Sequence, residues 1–300
     1  MQAQGAGHNK PGGSPGRCDV AVVGHVGLAA TRTADGENSS LGGSGYGVAA
    51  SAAAIIGRRV GLVAQIGQDL DRRVLQRLNV NTDGVLQLPG RSPQLRIEQF
   101  DDGTRSFSSD LGAAAQVRLD AFPPSYLRAG HIHLGTAPPG QQLKWLRFLH
   151  SQGAAARISA DMFEHFVITD PDTSRAVCDE ADLIFMNEAE YDGLYARGRG
   201  PDPKAPLILK RGSAGARLLT DGMSQDVPAP SARVVDPTGG GEILAGVFLA
   251  LCAEGLPDVG ALTYAVRAAA RCVEEFGVRG PRLVACLTNI RKEVQRAAVH

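Results

Sequence analysis

The chain has no excess charge of either sign. Lys and Arg number 31, Asp and Glu also number 31, and no long basic stripe is visible, so nucleic acid is not an expected partner. Cysteine is sparse. Cys18, Cys178, Cys252, Cys272 and Cys286 stand singly without CxxC spacing, four of them in apolar surroundings. They read as reduced, buried thiols of a cytoplasmic protein, neither a zinc site nor a disulfide frame. Long apolar runs are missing too: Ile243 to Ala253 falls short of the about 20 residues that span a bilayer, and no membrane association is expected. Met1 to Arg17 is rich in Gly, Pro and polar residues and lacks an apolar h-region, so a disordered leader is expected rather than a signal peptide. No GxxxxGK[ST] occurs, which excludes a P-loop, and neither a repeat nor a Pro/Ser-rich linker divides the chain.

What is present is 43% hydrophobic content over 300 residues, enough for one large α/β domain over residues 18–300. Apolar runs predict strands at Cys18 to Gly24, Val60 to Gly67, His131 to Leu134, Arg157 to Asp161, Leu183 to Met186 and Pro206 to Lys210. Helical patterns fall between them, at Tyr46 to Ile56, Asp69 to Leu78, Gly140 to His150, Thr173 to Asp179 and Glu188 to Tyr195. A β-α-β-α order implies a mostly parallel sheet. Gln94 to Phe100 and Arg105 to Ser109 flank Asp101-Asp102-Gly103 as a hairpin, and with Leu28 to Leu41 they predict a small β lid. A second hairpin spans Ala216 to Val227 about Asp221-Gly222, and a short strand, Arg233 to Val235, follows it. Three helical stretches finish the chain: Ile243 to Ala253, Val259 to Phe276 and Arg282 to Ala298.

The most informative stretch is Val234 to Gly246, VVDPTGGGEILAG. Gly239, Gly240 and Gly241 sit between a β-branched pair and an apolar helix, so backbone N–H groups and the positive end of the helix dipole converge on one anion-sized place. Glu242 stands on the first helical turn. It either complements the dipole or serves as a base for a hydroxyl attacking a phosphate held beside it.

This stretch resembles the second signature of the ribokinase-like (PfkB) family of carbohydrate and nucleoside kinases, which reads DTTGAGD where this chain has DPTGGGE. Further segments match that family in order. Gly42-Gly43, followed by a small-residue helix, resembles its first signature, and Gly67-Gln68-Asp69 its GxD. Asn187-Glu188-Ala189-Glu190 matches its NxxE, and Lys210-Arg211-Gly212-Ser213-Ala214-Gly215 stands at its TxGxxG segment with Lys for Thr. The resemblance implies a three-layer α/β/α sandwich with a mostly parallel central sheet and a β lid. It also implies ATP- and Mg²⁺-dependent phosphorylation of a hydroxyl on a small sugar or nucleoside, and it admits a homodimer. Glycines 239–241 would then form the catalytic anion hole, with Glu242 in the place of the catalytic Asp. Asn187, Lys210, Gly212, Gly215 and Thr238 would serve ATP, Asn187 and Glu190 the metal, and Gly42, Gly43 and Gly47 the acceptor.

Plainer readings stand beside these. Asn187 and Glu190 suit a helix cap, Lys210 a surface position, and the Gly42-Gly43 pair a loop. Ala265 to Val273 resembles the helix bordering the family's adenine pocket, and close helix packing explains it equally. His131 and His133 read as one core-facing and one sheet-facing histidine, not a metal pair, and Trp145 as core. Ala29 and Gly47 replace two polar side chains of the family pattern, which points away from free ribose or fructose and toward a nucleoside or modified sugar. The alternative function is a degenerate relative that binds without turnover. A nicotinamide site at Gly24 to Gly27 lacks the third glycine of its fingerprint.

Overall fold

The computed structural model describes residues 17–33, 36–99, 105–195, 203–220 and 222–297. Its first strands are β1 (Val20–Val23), β2 (Gly27–Thr33), β3 (Gly36–Gly42), β4 (Val60–Ile66), β5 (Asn81–Gln87), β6 (Gln94–Gln99) and β7 (Arg105–Asp110). Then come β8 (His131–Leu134), β9 (Arg157–Asp161), β10 (Leu183–Asn187), β11 (Leu207–Lys210), β12 (Ala216–Thr220) and β13 (Met223–Val227). The helices are α1 (Ser44–Ile56), α2 (Arg73–Gln76), α3 (Pro139–Ser151), α4 (Glu164–Thr169), α5 (Pro171–Glu180), α6 (Glu188–Tyr195), α7 (Gly240–Ala253), α8 (Asp258–Cys272) and α9 (Pro281–Ala297).

Nine strands form one sheet in the order β13-β12-β11-β10-β9-β8-β1-β4-β5. From β11 to β5 every pairing is parallel, and only the β11-β12 and β12-β13 pairings at one edge are antiparallel. Strands buried on both faces read as unbroken apolar runs, and β1 shows why: Val20 and Val22 enter one core cluster, Ala21 and Val23 the other. The first cluster lies under α1, α7, α8 and α9, the second under α3, α5 and α6. α7 is buried all round from Ile243 to Leu251, sandwiched in the first layer. The result is a three-layer α/β/α sandwich.

A separate four-stranded sheet, order β3-β2-β6-β7, is built from the two segments expected to form a lid. Leu28 N–H, which begins its pairing with the second segment, donates to Pro93 O. The expected leader lies outside the described residues up to residue 16, as do Asp101-Asp102-Gly103, Asp221 and Ala298.

Several expectations need correction. The helix over Asp69 to Leu78 shrinks to α2, because its first residues are tied elsewhere. Asp69 Oδ1 accepts from Ser92 N–H and Oγ at 2.8 Å each, and Gln87 Nε2 donates to Leu70 O at 3.0 Å. No strand forms at Arg233 to Val235. The N–H groups of Val235 and Asp236 donate to Val273 O instead, at 2.7 and 3.1 Å, and the same contact marks the end of α8 four residues before Phe276. His131 and His133 lie two apart on β8 and therefore share one face, with Ile132 and Leu134 on the other. Both are kept neutral by burial, His133 with its pKa lowered to about 4. β5 and α4 were not foreseen. All five cysteines are free, but Cys252 and Cys286 are only half-buried. Among the described residues no helix is long and apolar enough to cross a membrane.

Candidate active site

Asp161, Asn187 and Lys210 are the last residues of three adjacent parallel strands, β9, β10 and β11. Polar side chains at that end of a parallel sheet face the crevice where α/β folds take ligands. The start of α7 faces the same place. Gly239 caps the helix with φ 88°, and the first intrahelical bond runs from Ile243 N–H to Gly239 O at 3.0 Å. The N–H groups of Gly240 and Gly241 therefore precede the helical ladder and have no backbone acceptor among the described residues. A Cβ on Gly239 would meet Val278 Cγ1 at 2.4 Å, so close packing as well as the left-handed turn requires glycine there.

Lys210 is not on the surface. Its ammonium bonds Asp161 Oδ1 at 2.6 Å, both side chains being largely buried, and a Cβ on Gly241 would lie 3.5 Å from Nζ. Burial alone would lower the Lys210 pKa, but Asp161, Glu190 and Glu242 together outweigh it and hold the group above the ordinary lysine range. Glu242 shifts the other way for its class. Its pKa is raised, first by burial and then by the Asp161 charge, with Lys210 opposing. A carboxyl moved toward neutrality is a better proton acceptor at working pH than an exposed one. Asp161 was not foreseen; its only sequence signal is an acidic residue ending a buried strand.

Asn187 and Glu190 form a reciprocal cap on α6. Asn187 N–H and Nδ2 donate to the two Glu190 oxygens at 2.7 and 2.9 Å, and Glu190 N–H donates to Asn187 Oδ1 at 2.8 Å. Each Glu190 oxygen keeps a further lone pair. Burial raises the Glu190 pKa despite the nearby Lys210 charge. Thr238 N–H donates to Asp236 Oδ1 at 2.9 Å, while its own hydroxyl is buried without a partner among the described residues.

The remaining glycines divide. Gly42 ends β3, and Gly43 caps α1 at φ 104°, where a Cβ would meet His25 O at 2.5 Å. Gly215, at φ 93°, abuts Val227 O, whereas Gly212, at φ 54°, faces open space. Gly47 packs against the first turn of α7: a Cβ there would lie 2.8 Å from Glu242 Cβ. The Gly67-Gln68-Asp69 match is structural, since Asp69 and the Gly67 N–H both engage Ser92, at the root of the small sheet. Ala265 and Ala268 belong to the core, as close helix packing requires.

The chain belongs to the pfkB family of carbohydrate kinases, whose model matches residues 19–284. It is 32% identical over 255 residues to a cytidine kinase of Thermococcus kodakarensis, covering 80% of this chain and 90% of the relative. Among solved structures, the nucleoside kinase of Burkholderia thailandensis in complex with inosine superposes with a TM-score of 0.78 at 18% identity, covering 92% of this chain and 98% of that one. A ribokinase of Cryptococcus neoformans in complex with ADP gives 0.74 at 20% identity, covering 92% and 99%. The fold is thus ribokinase-like and the chain is a kinase, a phosphotransferase working on a sugar or nucleoside.

Proposed function

We propose that the chain transfers the terminal phosphoryl group of ATP to a hydroxyl of a nucleoside-like acceptor, with Glu242 as general base. One observation carries this reading: the Lys210 ammonium, held by Asp161, lies beside Gly241 at the start of α7, where the N–H groups of Gly240 and Gly241 have no acceptor among the described residues, next to Glu242. Phosphoryl transfer needs little covalent help, so placement and charge neutralisation dominate. The acceptor hydroxyl gives its proton to the Glu242 carboxylate while its oxygen bonds to the terminal phosphorus. The bond to the bridging oxygen breaks and ADP leaves. Charge on the transferring oxygens is met by the Gly240 and Gly241 N–H groups and by Lys210. Thr238, Gly212 and Gly215 line the nucleotide side in this reading, and Gly42 and Gly43 the acceptor side under the small sheet, which acts as a lid.

The donor set suits a hydrated magnesium ion. Asp161, Glu190 and Glu242 all act on the one Lys210 ammonium electrostatically, Asp161 in direct contact, yet no three acidic, His or Cys side chains converge on one point among the described residues. Asn187 and Glu190 would therefore hold the ion mainly through its water. Such an ion, once bound, offsets phosphate charge.

The acceptor class rests on the 32% identity to a cytidine kinase and on Ala29, which offers no hydroxyl-binding group. Gly47 no longer argues for it, its missing side chain being replaced by Glu242. The free cysteines fit a reducing cytoplasm. A screen of nucleosides, including cytidine, and of free sugars by ADP release tests the proposal. Turnover of a nucleoside above ribose and fructose is expected. Faster phosphorylation of free ribose or fructose would overturn the acceptor class, and binding without ADP release would establish the degenerate alternative.

A further inference from the structure

α1 and α7 run side by side in the same direction and touch through glycine at two levels one turn apart. At the first, a Cβ on Gly47 would lie 2.8 Å from Glu242 Cβ and 3.3 Å from its Cγ. At the second, a Cβ on Gly246 would lie 2.0 Å from Ser51 Oγ and 2.4 Å from Val48 O. Ser51 Oγ folds back onto Gly47 O at 2.9 Å and Val48 O at 3.1 Å, which keeps the facing surface of α1 flat. Neither approach survives a side chain, since real Cβ atoms do not come within 3.0 Å of such neighbours. The atom third nearest to that Gly47 Cβ is Val278 Cγ1 at 3.8 Å, so the Glu242 carboxyl group lies no nearer to it than that.

We propose that Gly47 is a positioning residue for Glu242. By letting the first turn of α7 settle against α1, it withdraws the backbone by about the length that the glutamate side chain adds over aspartate, and so sets the depth of the carboxylate. This rests on the reading of Glu242 as the base. A methyl group at residue 47 advances the helix start and overshoots the carboxylate. Shortening Glu242 alone leaves it short. A misplacement of about 1 Å costs on the order of a hundred-fold in rate, so both single changes act on turnover.

The test is a double-mutant cycle of Gly47→Ala and Glu242→Asp, read as kcat and KM with an acceptor found in the screen, and as Tm. Each single change is expected to lower kcat at least about tenfold with KM nearly unchanged, as misplacement on that scale implies. The double variant is expected to recover at least about tenfold over the product of the two losses, within the same scale. A purely structural contact instead moves Tm while the kcat losses multiply, and that outcome overturns the proposal. If Gly47→Ala fails to fold, Glu242→Asp decides alone: activity equal to wild type means Gly47 sets no depth. Glu242→Gln separates the two readings. Near wild-type turnover in Gln sinks the base, whereas an inactive Gln with multiplicative losses in the cycle sinks only the role of Gly47.

Discussion

Lys210 Nζ and Asp161 Oδ1, 49 residues apart in sequence, meet at 2.6 Å across the width of an intervening strand. The lysine is thereby held at the mouth of the sheet, where Glu190 and Glu242 also raise its pKa. Lys210→Met removes the cation that opposes the raised pKa values of Glu190 and Glu242, and is expected to lower kcat about a hundred-fold. The same change destabilises the fold by about 3–5 kcal/mol, since a buried carboxylate loses its partner. Kinetics and urea melts check both. Unchanged kcat with reduced stability would leave Lys210 a structural ion pair only. Asp161→Asn keeps the lysine but frees it, and a loss smaller than that of Lys210→Met is expected.

Glu242 has a raised folded pKa, so between its unfolded and folded pKa the native state binds more protons than the unfolded chain, and stability falls as pH rises through that window. Above it the ionised group is a standing cost. Glu242→Gln is therefore expected to abolish most turnover while raising Tm at pH 8, by roughly 2–4 °C for each kcal/mol of relief. A fall in Tm would show that the Lys210 attraction outweighs the burial of the charge.

The same shift bears on the pH profile. A base must be ionised to work, so kcat should decline as pH falls through the Glu242 pKa, with the acid limb above the range of an exposed glutamate, about 4.3. Residual turnover in Glu242→Gln should lack that limb. An identical limb in the variant would assign it to another group.

Thr238 offers a buried hydroxyl without a partner among the described residues. An unsatisfied buried hydroxyl costs about 1–3 kcal/mol, so the isosteric Thr238→Val is expected to hold or raise Tm. If ATP supplies the missing partner, KM for ATP rises several-fold and kcat changes less. Unchanged KM would exclude Thr238 from the nucleotide side.

The small sheet approaches the loop after α8. A Cβ on Gly277, in the loop after α8, would lie 3.8 Å from Ser40 Oγ on β3, and Leu28 of β2 is 42% exposed. Its amides should exchange faster than those of β1, β8 and β9 in free protein, and slow down when nucleotide and acceptor are both present. Equal exchange with and without bound ligands would deny it the role of a lid.

The parallel sheet was legible because apolar runs such as VAVV and VGLVAQI have no other place to go than between two helical layers. β12, β13 and the cap at Asn187 were legible from turn and capping chemistry. β5 was not, since NTDGVLQ carries its two best-buried residues, Gly84 and Val85, among polar neighbours on a sheet edge. α2 was overread because the apolar spacing at Leu70, Val74 and Leu78 carries no trace of the Ser92 and Gln87 side chains that tie down its start. Within the candidate site, the glycine turn before α7 and the Asn187 and Glu190 pair at α6 stood out in the sequence by their spacing. Asp161 did not, because its partner Lys210 is distant in sequence and the pairing exists only once β10 lies between them. The meaning of Gly47 was hidden for the same reason: an absent side chain is informative only when its neighbour is known.

Trp145, the single tryptophan, is 6% exposed on α3 and wedged between Phe122 at 6.0 Å and Phe148 at 5.9 Å, in the core cluster on the far side of the sheet from α7. Its indole sits in a dry aromatic nest, so its emission is expected to be blue-shifted and to move to the red only when that layer opens. Intrinsic fluorescence is therefore a clean reporter of unfolding for this chain and a silent one for occupancy at α7.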